Sequence, residues 1–255
     1  MSNRGTVSVS GAYVELQTAV LKALPRNIED EVALNWANNG EALTRFLSGL
    51  CPSEQVAKTV EGIFFTPLAD KDVPKKLVDT MVKWRKLATE LDYSGPLAWQ
   101  VREGFTLKTY ALKAGPCYNN FSYLQDWSLR NDEPTSKALA FWVPRLVPES
   151  VNKNVTEQME LLGGLRQRLG LPACHLVNFG SAAMLSGLIL AHFEQTGERT
   201  PLECLWTRTD TLHAGGYRLH LGAFDENGLR CDDWRWDGYR SSSLGCFPLG
   251  VELGF

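Results

Sequence analysis

Residues 206–247 read WTRTDTLHAGGYRLHLGAFDENGLRCDDWRWDGYRSSSLGCF, and this stretch decides the fold class. Arg218-Leu-His-Leu-Gly222 alternates as a half-buried strand does. Asp225-Glu-Asn-Gly228 follows as a hairpin turn, because Asn-Gly accepts positive φ at both central positions. Residues 228–231 form the returning strand, residues 232–243 (DDWRWDGYRSSS) are turn-rich and aromatic, and residues 244–247 close another short strand. The composition shifts with the pattern. The last lysine is Lys153, eight of the fifteen arginines follow it, and residues 207–255 hold eight of the 22 glycines.

Upstream of this tail the signals become helical. Residues 180–193 read as a largely buried helix with Gly197 placed as its C-cap. Residues 156–169 repeat Met159, Leu161, Leu162, Leu165 and Leu169 at helical spacing. Between 138 and 146 stands an apolar run, ALAFWVPRL, broken by Pro144. Phe105, Leu107, Thr109 and Ala111 alternate as in a strand. The first part predicts helices over 13–24, ended by Pro25, over 28–50, interrupted at Asn38-Asn39-Gly40, and over 53–63. Asp72 before Val73-Pro74 predicts a capped helix running to about Leu91. Its polar face carries Lys75, Lys76, Lys83, Arg85 and Lys86, which reads as a solvated face or as a site for an anion or nucleic acid. The expected class is α+β, with a helical region over 1–95 and a mixed domain over 96–255 that ends in short irregular β-strands.

Composition narrows the function classes. The chain has 255 residues, 44% apolar and 22% charged, with a net charge of −3. Collagen, coiled coil and wholesale disorder do not fit that composition. No run of about 18 apolar residues offers a membrane span. The negative balance argues against a nucleic-acid binder working by general attraction. The N-terminus MSNRGTVSVSGAYVELQ lacks the apolar core of a secretory leader, so the default expectation is cytoplasmic, with surface or particle display also compatible. Cys51, Cys117, Cys174, Cys204, Cys231 and Cys246 include no CxxC pair and read as small reduced hydrophobes. His175, His192, His213 and His220 show no paired metal spacing, and His192 reads as a packed residue on an apolar helix. Asp225, Asn227, Asp232, Asp233 and Asp237 could supply oxygen ligands to calcium, but their spacing is not that of an EF-hand loop. Gly163-Gly164 and Gly215-Gly216 lack phosphate-loop spacing, and Gly180-Ser181 is no nucleophile elbow. No catalytic set, metal or cofactor is predicted.

The tail carries a skeleton: Gly222-x-Phe224-x-x-x-Gly228-Leu229, then Trp236-Asp237-x-x-Arg240, then Leu244-Gly245. Following a helix and a Trp-led strand, this order resembles a C-type-lectin-like fold. More narrowly, it resembles the variable proteins of diversity-generating retroelements, over about residues 171–255. In that family template adenines are randomised, so an AAY codon reaches every residue except Lys, Glu, Gln, Met and Trp. Residues 217–247 contain no Lys, Gln or Met and a single Glu, Glu226. Glu226, Trp234 and Trp236 would then be fixed positions, Trp236 as part of the skeleton. The tail departs from the family at residues 249–255, which lack the basic residue that closes related tails. Separately, Leu24-Pro25-Arg26-Asn27-Ile28 with Trp36, Leu43, Leu47 and Cys51-Pro52 is similar to an N-terminal module of proteins from small-genome microbes, and implies no activity.

The resemblance implies a non-enzymatic protein that displays a hypervariable region, residues 217–247, to a macromolecular ligand, protein or glycan. The ligand-facing residues it implies are Ala223, Asp225, Asn227, Arg230, Asp232, Asp233, Arg235, Gly238, Tyr239, Ser241, Ser242 and Ser243. Tyr, Arg, Ser, Gly and Asp suit such a surface, since aromatics give area at low entropy cost and small polar residues adapt. Tyr239 and Arg235 are expected to be exposed. An enzyme with a metal site among the tail aspartates is the main alternative, and an anion site on the Lys75 to Lys86 face is the other.

Overall fold

All five residues of ALAFW, β4 (Ala138–Trp142), are buried. An unbroken apolar run suits a strand covered on both faces. The computed structural model describes residues 64–108, 115–130 and 133–254, the side chains of 234 and 235 apart. The helices expected over 13–24, 28–50 and 53–63 lie outside the described residues. β4 pairs with β2 (Ala98–Val101) on one side and β9 (Leu249–Leu253) on the other, and β1 (Phe65–Leu68) pairs beyond β2. This sheet is antiparallel throughout, in the order β1-β2-β4-β9.

Alternate side chains of β4 enter different cores. Ala138, Ala140 and Trp142 join Trp99, Val101 and helix α3 (Ala182–Thr196) on one side. Leu139 and Phe141 join α1 (Val78–Glu90) and α2 (Val155–Leu169) on the other. Helix α3 is buried at every residue from 182 to 190, because it is flanked by β1 and by β5 (Trp206–His213) and β6 (Arg218–Asp225). Gly187 makes that approach possible, since a Cβ there would meet the Phe65 ring at 2.0 Å. Ser181 accepts from Met184 N at 3.1 Å to cap the helix, and Gly197, at φ 70°, takes the expected C-cap role.

The second sheet runs β3 (Leu129–Arg130), β5, β6, β7 (Gly228–Arg235), with β8 (Leu244–Gly245) parallel to the start of β5. Helices and antiparallel sheets together make the class α+β. The described residues fall within one compact unit. Trp84, Leu87 and Ala88 of α1 share a core with Ala98 and Phe141, which ties the helix to the sheet.

Several local expectations change. The helix expected from Asp72 begins only at Val78, after two 3-10 turns at Asp70–Asp72 and Lys75–Leu77. Pro74 holds an extended ψ of 137°, so the chain enters the helix after it. Lys75 and Lys76 therefore precede α1, Lys83 donates to Gly170 O (2.6 Å), and Arg85 pairs with Asp70 (2.7 Å), so the five cations are not one free helix face. Leu107 and Lys108 are helical rather than extended, while 109–112 lie outside the described residues. Phe105 bonds Thr135 through both backbone groups, leaving no ladder for a strand to join. The 225–228 turn forms as predicted, but Gly228 alone has positive φ, at 103°, so Glu226 and Asn227 are the central residues. β7 also continues through residues 232–235, where turn residues predict a loop.

Candidate functional site

β7 is the outer strand of its sheet, yet its edge is covered. Leu229 N donates to Pro116 O (2.9 Å). The Tyr123 hydroxyl accepts from Cys231 N (3.1 Å) and donates to Cys231 O (2.9 Å). Across the sheet Arg208, His220 and Asp232 stand in register on β5, β6 and β7, which places them on one face. Arg208 and His220 are 0% and 1% exposed. Loop 236–243 contributes to that cover: Arg208 Nη2 donates to Tyr239 O (2.6 Å) and to Lys153 O (3.3 Å). At the other end of the same face, Arg218 bridges Asp210 and Asp237. Burial raises the Asp210 pKa, against the Gly180 N–H at 2.8 Å and the Arg218 charge.

The loop is pinned along its length. Val155 N donates to Asp237 O (3.0 Å), Asn152 N to Ser241 O (2.7 Å) and Trp206 N to Ser243 O (2.7 Å). Asp237 accepts a forked pair of bonds from Arg218 (2.8 and 3.2 Å), and Glu157 a second pair from Arg240 (2.6 and 2.9 Å). Glu157 also closes a capping box with Asn154 at the start of α2, so one carboxylate orders both helix and loop. The Asn154 N–H and Arg240 hold its pKa below the usual carboxylate value.

On this frame Trp236 is 58% exposed and meets Tyr239 edge-on, ring centres 5.3 Å apart. Its expected place in the packing skeleton is corrected: it stands just past the end of β7, with most of the indole open to solvent. The rest of the skeleton has structural roles. Phe224, Leu229 and Leu244 are buried. A Cβ on Gly222 would meet Leu205 O at 2.3 Å, and one on Gly245 would meet Ser150 Oγ at 2.6 Å. Asp237 and Arg240 supply the forked pairs.

The twelve predicted ligand-facing residues do not form one pocket. Asn227, Gly238 and Ser242 are exposed, whereas Ala223, Asp225, Arg230, Asp232, Asp233, Tyr239, Ser241 and Ser243 are half-buried. Tyr239 is thus less exposed than expected, and the Arg235 side chain lies outside the description. Ala223, Asp225, Asn227 and Arg230 cluster at the hairpin end of β7, and the residues from Gly238 to Ser243 follow its far end. Strand β7 spans about 23 Å between them. At the hairpin end Arg230 lies 4.1 Å over the Tyr118 ring and 3.5 Å from Asp225. Asp225 also lines a 630 Å³ cleft with Arg199, Thr200, Glu203 and Glu226. The aspartates weighed for calcium are dispersed: Asp225 faces Arg230, Asp233 faces His213 (3.0 Å), and Asp237 faces Arg218.

Metal-type donors converge elsewhere among the described residues. Cys174 Sγ, a His175 nitrogen and a Glu252 oxygen lie within 4.8 Å of one another. Such a set suits zinc by type. The imidazole does not suit it. His175 Nδ1 is 3.0 Å from Trp84 Nε1, an indole N–H that can only donate, so Nδ1 keeps its lone pair and Nε2 carries the proton. A metal on Nε2 needs the opposite arrangement. Nε2 faces Glu252 Oε1 at 3.1 Å, in a bent contact. The same tautomer prevents His175 from taking the Cys174 proton, and burial with Glu252 raises the thiol pKa. This cluster is neither a nucleophile pair nor a ready zinc site.

Sequence reading missed Arg208, Asp210, Arg218 and His220. Their signal was present as polar residues two apart on predicted strands, but register alone brings them together. Compared with protein-family models, with curated proteins and with solved structures, the chain matches none.

Proposed function

We propose that this chain is a non-enzymatic ligand-binding protein of the retroelement-diversified kind, with a C-type-lectin-like C-terminal part and with loop 236–243 at the centre of its contact surface. The observation that carries this reading is the exposed indole of Trp236 on a loop held at both ends. A large aromatic on a pre-ordered loop contributes contact area with little entropy to lose on binding. Tyr239 and Arg240 beside it are residue types that dominate interface energetics. The bonds that hold the loop come from its backbone and from Asp237 and Arg240, so the exposed Ser242 can change without releasing it, whereas a Cβ on Gly238 would meet the Trp236 indole at 3.1 Å. Trp236, which adenine randomisation cannot generate, would be a fixed anchor among varied neighbours.

The test is the DNA on either side of the gene. A reverse transcriptase gene, together with a near-copy of codons 217–247 that differs only where the copy has adenine, is the expected finding. Absence of both ends the retroelement form of the proposal. Trp236→Ala is expected to change stability by less than about 0.5 kcal/mol. A loss above about 2 kcal/mol would mark the indole as core and remove the surface argument.

A further inference from the structure

On the far side of the first sheet, α1 and α2 leave a groove of 570 Å³ between them. Its floor is Leu87 of α1 and Leu91 just past its end, Leu161 and Leu165 of α2, and Val147. The four leucines form two pairs spaced i, i+4, so each wall is one apolar ridge. The rim is acidic. Glu90 is neutralised by the forked Arg168 (2.9 and 2.7 Å), but Glu149 and Glu160 have no ion-pair partner among the described residues.

Gly164 lines the same groove from the middle of α2. Glycine is unfavourable inside a helix, and here a Cβ would meet nothing within 4 Å among the described residues, so no contact with them requires its absence. Gly163 is equally unconstrained but does not line the groove.

We propose that this groove docks a short amphipathic helix of a partner protein, bearing an aliphatic stripe flanked by Lys or Arg. Residues 161–168 of α2 span about 10 Å, which accommodates two turns of a docked helix presenting side chains at i, i+4 and i+7. Glu149 and Glu160, unpaired among the described residues, select basic flanks, and Gly164 lets the incoming backbone approach α2 closely. The site is separate from the tail surface and stands without it.

The test is fluorescence anisotropy of a labelled Leu/Lys amphipathic peptide titrated with the full chain at physiological salt, alongside thermal melts. Wild type binds saturably, and a Leu/Glu peptide of the same pattern does not. Gly164→Ala raises the Tm by about 2–4 °C and weakens the peptide at least tenfold. Gly163→Ala raises the Tm similarly and leaves the affinity within twofold. Glu160→Lys weakens binding about tenfold. No binding by wild type, equal effects of the two glycine variants, or equal binding of the Leu/Glu peptide overturns the proposal. Trp236→Ala leaves this affinity unchanged; a Trp236-dependent signal would put the peptide on the tail loop and overturn the groove assignment while sparing the tail reading.

Discussion

Replacing Trp84 by Phe tests the buried line from Trp84 through His175 to Glu252. Trp84 is fully buried and stacks on Phe141, ring centres 6.0 Å apart, so a phenyl ring keeps most of the packing. What it removes is the 3.0 Å bond to His175 Nδ1. A buried acceptor left without a donor costs about 1–3 kcal/mol, and the smaller ring adds a cavity cost of about 1 kcal/mol. The expected loss is about 2–4 kcal/mol, or roughly 6–12 °C in Tm for a chain of this size. A double-mutant cycle with His175→Phe separates the two contributions. If the orphaned nitrogen matters, the double variant is more stable than the sum of the singles by at least about 1 kcal/mol. ¹⁵N NMR of wild type is expected to show His175 protonated at Nε2. Additive single losses, or a proton on Nδ1, would refute the assignment.

Three further expectations rest on the same geometry. Burial lowers the pKa of both His175 and His192, with Glu252 and Glu198 acting against it. The unfolded chain therefore takes up these protons first, and stability present at neutral pH falls below about pH 6.5, by at most about 1.4 kcal/mol per pH unit for each histidine. A guanidinium midpoint that holds or rises between about pH 7 and pH 5 would contradict this. Zinc is expected to leave the wild-type Tm flat and to raise that of Trp84→Phe, where Nδ1 can carry the proton; a wild-type rise would show that the indole does not fix the tautomer. Glu157→Ala removes the carboxylate that accepts from Asn154 N and pairs with Arg240, so hydrogen exchange over residues 236–243 should quicken. Unchanged exchange there would mean that the Glu157–Arg240 pair does not order the loop.

The sequence by itself determined the features whose causes are local. Helices α2 and α3 follow from leucines at helical spacing, Gly197 stops α3 because glycine alone enters the left-handed region freely, and β4 follows from an uninterrupted apolar run. The 225–228 hairpin was legible for the same reason, although its centre sits one residue earlier than Asn-Gly suggests. Even the Asn154-x-x-Glu157 capping box was there to be read. Tertiary structure alone decided the rest. Phe105, Leu107, Thr109 and Ala111 alternate as a strand should, but a strand needs a free edge, and none is offered where Leu107 and Lys108 are helical. Trp236 looked like packing because tryptophan usually is; its exposure depends on where β7 ends and on what fails to cover it. The row Arg208–His220–Asp232 depends on the register of three strands, and the Trp84–His175 bond joins residues 91 positions apart. Neither can be read from one chain, because which strands pair and which helix faces meet is settled by burial of the whole core rather than by the preference of any segment.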